Sequence, residues 1–353
     1  MLSHKQLEVL DRGLPGLSEG IFGVDVPMSD AELVIIPVPW EATTSYRKGT
    51  ARGPEAVLEA SAQLDMFDLR FGKPFKRGIT MLPIDEQLLE WNRLARAAAE
   101  IVIEGWESGK DPESFSASLA AVNHHSKLVD KWVYEHSKKL LQQNKMVAVL
   151  GGDHSCPFGL IRALAEQNQS FGILHIDAHY DLRDAYEGFE RSHASIMYNV
   201  ATEIPQVSHI AAVGIRDFCV DEFDFAKANS TRHSTFFDRD WAHRKSKGEL
   251  LDQIVQDVVN RLPNNVYISF DIDGLDPVNC PNTGTPVPGG LSYNDAMELI
   301  EKLAMSGRKI IGFDLCEVAP GSNEADEWDG NVGARVLYRL CGASFYSRFG
   351  RIE

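Results

Sequence analysis

Gly172-Ile173-Leu174-His175-Ile176 runs without a break into Asp177-Ala178-His179-Tyr180-Asp181, an apolar stretch that ends in ionisable residues at i, i+2 and i+4. The same design recurs at three other places. Gly151-Gly152-Asp153-His154-Ser155 follows Met146–Leu150, Asp271-Ile272-Asp273 follows Val266–Phe270, and Glu317 closes the stretch that begins Lys309-Ile310-Ile311-Gly312-Phe313. Further short apolar runs, Leu33–Ile36 and His209–Val213, complete a set of predicted strands. Between the runs lie segments with helical spacing, among them Pro54–Met66, Trp91–Trp106, Leu250–Leu262 and Asn294–Leu303. Strands that are apolar throughout rather than alternately need helices on both sheet faces, so the expected class is α/β with a mainly parallel sheet.

In open parallel sheets, ligands bind beyond the carboxyl ends of the strands, so the four ionisable clusters are expected to meet in one crevice. Side chains at i and i+2 of an extended segment point the same way, which projects Asp177 with His179 and Asp271 with Asp273. Four carboxylates packed together without counter-charge would suffer large pKa shifts, and divalent cations remove that cost. Carboxylate and imidazole donors without thiolate suit Mn²⁺, with Ni²⁺, Co²⁺ or Fe²⁺ as alternatives. Six candidate ligands exceed what one catalytic zinc uses, which points to two ions activating a shared water. Taken singly, Gly151–His154 and Asp271–Gly274 also read as capped turns at strand ends; taken together the four clusters do not.

Composition sets the outer limits. The 353 residues carry 35 Lys and Arg against 51 Asp and Glu, a formal charge of −16, which disfavours a nucleic-acid partner and suits a cationic substrate or bound metals. Five widely spaced cysteines without a CxxC pair suggest neither a disulfide framework nor a thiolate zinc site. No signal-peptide pattern and no membrane-length apolar run are present, so a cytoplasmic protein without a membrane partner is expected. With no repeat or Gly/Ser linker, the chain is read as one catalytic domain over 1–353, residues 1–30 being an N-terminal extension. The polar stretch Ser108–Ser118 reads as a surface insertion before a long helix, and no function is assigned to Ser108–Asn144.

At Gly151–Ser155, Asp177–Asp181 and Ser269–Pro277 with its continuation Thr283–Gly290, the sequence resembles the ureohydrolase family of arginases and agmatinases; a weaker match covers Ser45–Ser61. The resemblance implies a three-layer α/β/α, arginase-like domain with a parallel sheet of about eight strands, assembled as trimers or hexamers. It makes His154, Asp177, Asp181 and Asp271 ligands of one ion and His179, Asp177, Asp271 and Asp273 ligands of the other, usually Mn²⁺ and sometimes nickel. It further implies that Glu317 holds a guanidinium, that His193 shuttles the proton to the departing amine, and that Thr285 lies in the substrate pocket. Asp181 counts among the catalytic residues as well as the ligands.

The reaction implied is hydrolysis of a guanidino group to urea and an amine. The loop Leu182–Arg191 differs from the Asn- and Ser-bearing loop of arginases, and its acids Asp184, Glu187 and Glu190 either receive a cationic tail or form a solvated face. Agmatine, giving putrescine and urea, is the leading expectation. Arginine, guanidinobutyrate, guanidinopropionate, guanidine, a biguanide, or a non-catalytic subunit with an inherited metal site remain as alternatives, as does a Glu317–Arg335 ion pair.

Overall fold

Every residue of the run Leu33–Val38 is buried, yet its neighbours part company: Leu33 and Ile35 join one hydrophobic core, Val34 and Ile36 another. The same division runs through Met146–Leu150 and Phe171–Ile176, so period-two alternation persists with apolar side chains on both faces. The computed structural model describes residues 18–323 and 326–353. Residues 1–17 of the expected N-terminal extension lie outside the described residues.

Eight strands form one parallel sheet: Leu33–Val38 (β1), Ile79–Met81 (β2), Met146–Gly151 (β3), Phe171–Ile176 (β4), Val207–Ile215 (β5), His233–Phe237 (β6), Asn265–Asp271 (β7) and Lys309–Cys316 (β8). Their spatial order is β2-β1-β3-β8-β7-β4-β5-β6. The helices among the described residues are Gly53–Ser61 (α1), Glu86–Glu107 (α2), Ser116–Gln142 (α3), Phe158–Gln167 (α4), Ile196–Glu203 (α5), Val220–Ala228 (α6), Asp238–Ser246 (α7), Leu251–Arg261 (α8), Tyr293–Met305 (α9) and Trp328–Phe349 (α10). α8, α9 and α10 supply one core with Ile254, Leu299 and Leu337, while α2, α3 and α4 supply the other with Leu88, Val133 and Leu160. This is the expected three-layer α/β/α arrangement.

Two differences from the sequence reading have local causes. The segment expected to be helical from Pro54 to Met66 stops at Ser61, whose hydroxyl donates to Leu58 O (2.6 Å) and accepts from Phe22 N (2.8 Å). The hydroxyl thus competes for a carbonyl of the last helical turn while the tertiary bond to Phe22 N holds it there, and the helix ends. The Ser108–Ser118 stretch lies at the surface and leads into the long helix α3 as expected, and differs only in carrying one buried anchor. Asp111 accepts from Glu113 N (3.0 Å), Phe115 is buried, and Gly105 leaves room for its ring. Phe115 joins Ala99, Val102, Ile103, Val122 and Phe189 in a third, small core between α2 and α3.

Candidate metal centre

The strands that carry the four ionisable clusters, β3, β8, β7 and β4, are consecutive neighbours at the middle of the sheet. Their carboxyl ends therefore open on a single crevice, as expected for a parallel sheet. Two glycines let them close up. A Cβ on Gly152 would lie 1.9 Å from Trp40 O, and one on Gly274 would lie 2.7 Å from Asp177 N, so only glycine permits these backbone approaches. Arg216 then ties the end of β5 to the β7 loop, donating to the carbonyls of Asp273 (2.7 Å) and Val287 (3.0 Å).

The donors come together around His154. Its Nδ1 lies 3.0 Å from Asp177 Oδ2, 3.0 Å from Asp181 Oδ2 and 3.3 Å from Asp271 Oδ2. One ring nitrogen carries at most one proton, so it can serve only one of three carboxylates, whereas a cation among them serves all. Beside this group, His179 Nδ1 is 3.5 Å from Asp177 Oδ1 and 3.2 Å from Asp273 Oδ2. Among the described residues three sets of donor atoms emerge, His154–His175–Asp177–Asp181, Asp177–His179–Asp273 and His154–Asp314–Cys316; the first two share Asp177, and Asp271 stands beside them through His154 (3.3 Å). The residues thus fit a pair of ions sharing a carboxylate, and all six sequence-expected ligands are gathered here.

Electrostatics give the same answer. Burial and the charges of Asp273 and Asp177 push the Asp271 carboxyl well above the usual carboxylate range, and burial with the Asp177 charge moves Asp181 up to about 6. Burial opposes ionisation of Asp177 too, but His175 and the hydrogen bonds from His154 and His179 outweigh it and hold that carboxyl well below its ordinary value. Carboxylates pressed together to this degree call for positive charge in the gap.

Two site residues have left-handed backbones, Asp181 (φ 55°) and Glu317 (φ 64°). Each costs on the order of 1 kcal/mol for a residue with a Cβ, and the surrounding bonds impose it. Met197 N and Tyr198 N both donate to Asp181 O, at 3.0 and 3.1 Å; Glu317 N donates to Gly152 O (2.8 Å). Glu317 Oε1 accepts from His154 N (3.0 Å), while the buried Oε2 has no partner among the described residues. Burial, then the charges of Asp153 and Asp273, lift its pKa well above the ordinary range. Arg335 is engaged elsewhere, by Asn331 Oδ1 (2.7 Å), which removes the Glu317–Arg335 alternative.

Glu317 and His154 line a cleft of about 150 Å³ with Ser45, His179, Asp181, Arg183, Tyr186, His193, Asp217, Glu222, Asp271 and Thr285. Thr285 donates to Asp273 Oδ2 (3.3 Å) from the rim. His193 opens a short 3-10 turn in which Ser192 Oγ accepts from Ala194 N (3.2 Å). Burial, then nearby His179 and His154, lowers its pKa to about 3, so the imidazole is neutral at pH 7.

Of the two readings of the acidic loop, the structure favours the solvated face. None of Asp184, Glu187 and Glu190 is among the residues lining this cleft, and Glu190 is paired with Lys127 (2.5 Å). The lining acids outside the carboxylate cluster and Glu317 are instead the exposed Asp217 and the buried Glu222; Glu222 accepts from Leu182 N (3.1 Å) and Cys219 N (3.0 Å) and is 3.5 Å from Arg183, whose guanidinium lies over the Tyr186 ring. The sequence reading also passed over His175, whose Nε2 is 2.8 Å from Asp177 Oδ2. Its position two residues before Asp177 on the same strand was the available signal.

Comparison with known proteins agrees with this geometry. Residues 31–342 match the arginase family. The chain is 33% identical over 324 residues to the N(1)-aminopropylagmatine ureohydrolase of Thermus thermophilus, covering 91% of this chain and 94% of that one. It is 28% identical over 299 residues to the agmatinase of Bacillus anthracis, with 84% and 87% covered. In fold it is similar to the agmatine ureohydrolase of Thermoplasma volcanium, with a TM-score of 0.70, 23% identity and coverage of 94% and 97%.

Proposed function

The chain belongs to the arginase family of dinuclear metal-dependent hydrolases acting on guanidino compounds, and from that premise we propose that it hydrolyses agmatine to putrescine and urea. The observation that carries the substrate class is Glu317: a residue lining the cleft beside the carboxylate cluster, with one buried carboxyl oxygen that has no partner among the described residues. A guanidinium supplies the N–H donors that such an oxygen lacks.

In this reading His154, Asp177, Asp181, Asp271, Asp273 and His179 hold the two ions, Mn²⁺ first and Ni²⁺ next. When bound, the ions supply Lewis-acid activation of water. Glu317 anchors the guanidinium with its carbon over the cluster, and Thr285 narrows the rim beside it. Water adds its oxygen to that carbon, the bond to the chain nitrogen breaks, and the amine leaves as the protonated product beside neutral urea. His193, neutral at the cleft wall, takes up a proton and passes it to the leaving nitrogen. Asp217, with a side chain 69% exposed at the mouth, provides negative charge for the far ammonium.

A longer substrate has support of its own. The Thermus relative's name specifies agmatine extended by an aminopropyl group, and the exposed carboxylate of Asp217 lines the cleft, where it suits a further ammonium. The deciding experiment is urea release, with identification of the amine, from agmatine, N(1)-aminopropylagmatine, arginine and guanidinobutyrate after reconstitution with Mn²⁺ or Ni²⁺. Turnover of either guanidino amine above the two carboxylate-bearing compounds supports the reading; turnover of guanidinobutyrate alone overturns it. No helix among the described residues is long and apolar enough to cross a membrane. Cytoplasmic location and assembly as a homotrimer or hexamer belong to the same proposal, the latter measured by light scattering.

A further inference from the structure

The cleft wall contains a hydrogen-bonded chain that the metal centre does not require. His193 N donates to Thr43 Oγ1 (3.1 Å), and the same oxygen lies 3.2 Å from His193 Nδ1 and 3.4 Å from Asp153 Oδ2. All three side chains sit between the loop after β1, the β3 turn and the loop after β4, and both Thr43 and Asp153 are fully buried. Ser155, through its backbone N–H (3.0 Å) and its hydroxyl, occupies the other oxygen, Asp153 Oδ1.

A hydroxyl has one proton and two lone pairs, which leaves two ways to complete this chain. If Thr43 gives its proton to His193 Nδ1, the buried Asp153 keeps the backbone donors of Thr43 and Ser155 and the Ser155 hydroxyl but loses one hydrogen bond, worth about 0.5–1.5 kcal/mol. If Nδ1 carries the ring proton and gives it to Thr43, both lone pairs are filled by His193 and the hydroxyl proton goes to Asp153. Every group is then satisfied. Ser192 Oγ, 3.4 Å from Nδ1, accepts from Ala194 N through a lone pair and keeps its proton, so donation from Ser192 to Nδ1 is the competing arrangement; it is longer than the 3.2 Å contact between Nδ1 and Thr43 Oγ1.

We propose that Asp153, Thr43 and His193 form an orienting relay that fixes the Nδ1–H tautomer of His193 and leaves Nε2 as the proton acceptor facing the cleft. Thr43 and Asp153 are positioning residues, since each acts through His193. The relay adds no reactant: the proton taken at Nε2 is the one delivered to the departing amine, and the ring returns to its starting tautomer. Only the catalytic consequence rests on the proposed reaction; the tautomer rests on Thr43 being the nearer of the two hydroxyls to Nδ1.

The variants are Thr43→Val, which keeps the shape and removes the hydroxyl, and Thr43→Ser, which keeps the hydroxyl. In the Mn²⁺-loaded full chain, Thr43→Val is expected to lower kcat about tenfold to a hundredfold, within the range of general acid–base effects, with KM changed less than about twofold. Metal content should match wild type, and Thr43→Ser should restore most of kcat. Independently of turnover, ¹⁵N NMR of the ring, assigned with His193→Gln, should show Nδ1–H in wild type and in Thr43→Ser, and Nε2–H or a mixture in Thr43→Val. Wild-type kcat in Thr43→Val, a loss that serine does not rescue, or an Nε2–H ring in wild type would each overturn the relay. If wild type releases no urea from any guanidino compound, the proposed function fails while the NMR arm still judges the relay.

Discussion

The floor of the cleft and its wall are built by opposite means. The floor hangs on the ends of β3, β7, β4 and β8, where strand geometry alone sends His154, Asp271, Asp273, Asp177, His179 and Glu317 into one space. The wall consists of two loops, around residues 41–49 and 182–195, which lie far from each other in sequence and owe their shape to the α2–α3 hairpin. From α2, Arg96 Nη1 donates to the carbonyls of Thr44 (2.5 Å) and Ala42 (3.3 Å), and Asn92 Oδ1 accepts from Glu41 N (2.8 Å). From α3, Asn123 clamps the other loop at both amide ends, donating to Gly188 O (3.0 Å) and accepting from Glu190 N (2.9 Å). Trp106 donates to Glu187 O (3.0 Å), Phe189 is fully buried in the small core, and Asp130 meets Arg191 (3.2 Å). The floor gathers the donors that could hold metal, and the wall brings Tyr186 and His193 to the same cleft. The hairpin, left without a role by the sequence, is the wall's frame.

The contrast is broken most severely at the floor. Asp273→Ala should abolish urea release, by about a thousandfold or more, and lower metal content by elemental analysis, because it removes a ligand. Glu317→Ala should reduce turnover by a similar factor and leave the ions in place, since no other ligand is lost. Normal turnover in the Glu317 variant would remove the guanidinium anchor from the account.

At the wall the effects are smaller and of another kind. Asn123→Ala breaks two loop bonds and should destabilise the fold by about 1–3 kcal/mol in denaturant melts, lower kcat several-fold, and leave metal content unchanged. A loss of metal in this variant would mean that floor and wall are not separable.

The smallest effect is on pH dependence. Burial, opposed by the charges of Arg191 and Arg162, raises the Asp130 carboxyl to about 7. The folded chain then holds this proton more tightly than the unfolded chain, so Asp130's contribution to stability is greatest below about pH 4 and falls as pH rises towards about 7. Asp130→Asn should flatten that part of the stability curve measured between pH 4 and 7; an unchanged slope would show that Asp130 titrates normally.

The same division explains what the sequence disclosed. Asp177, His179 and Asp181 could be assigned because a buried run before them sets their direction, and periodicity carries that information locally. β2 and β6 escaped because they are short edge strands, and His233–Phe237 is only half-buried over most of its length. Thr43 escaped because its importance is a contact with residues 110 and 150 positions away. The two readings of the acids at 184, 187 and 190 stayed open for the same reason: charge and proximity in sequence were visible, but the helix contact that pairs Glu190 with Lys127 was not.

The central claim is that four adjacent strand ends make a floor for two ions sharing Asp177. Its most direct test is the metal stoichiometry of the full chain after reconstitution with Mn²⁺ and removal of free metal, read by elemental analysis against protein concentration. The account predicts two ions per chain in wild type; a wild-type chain that saturates at one ion, or binds none, would contradict it.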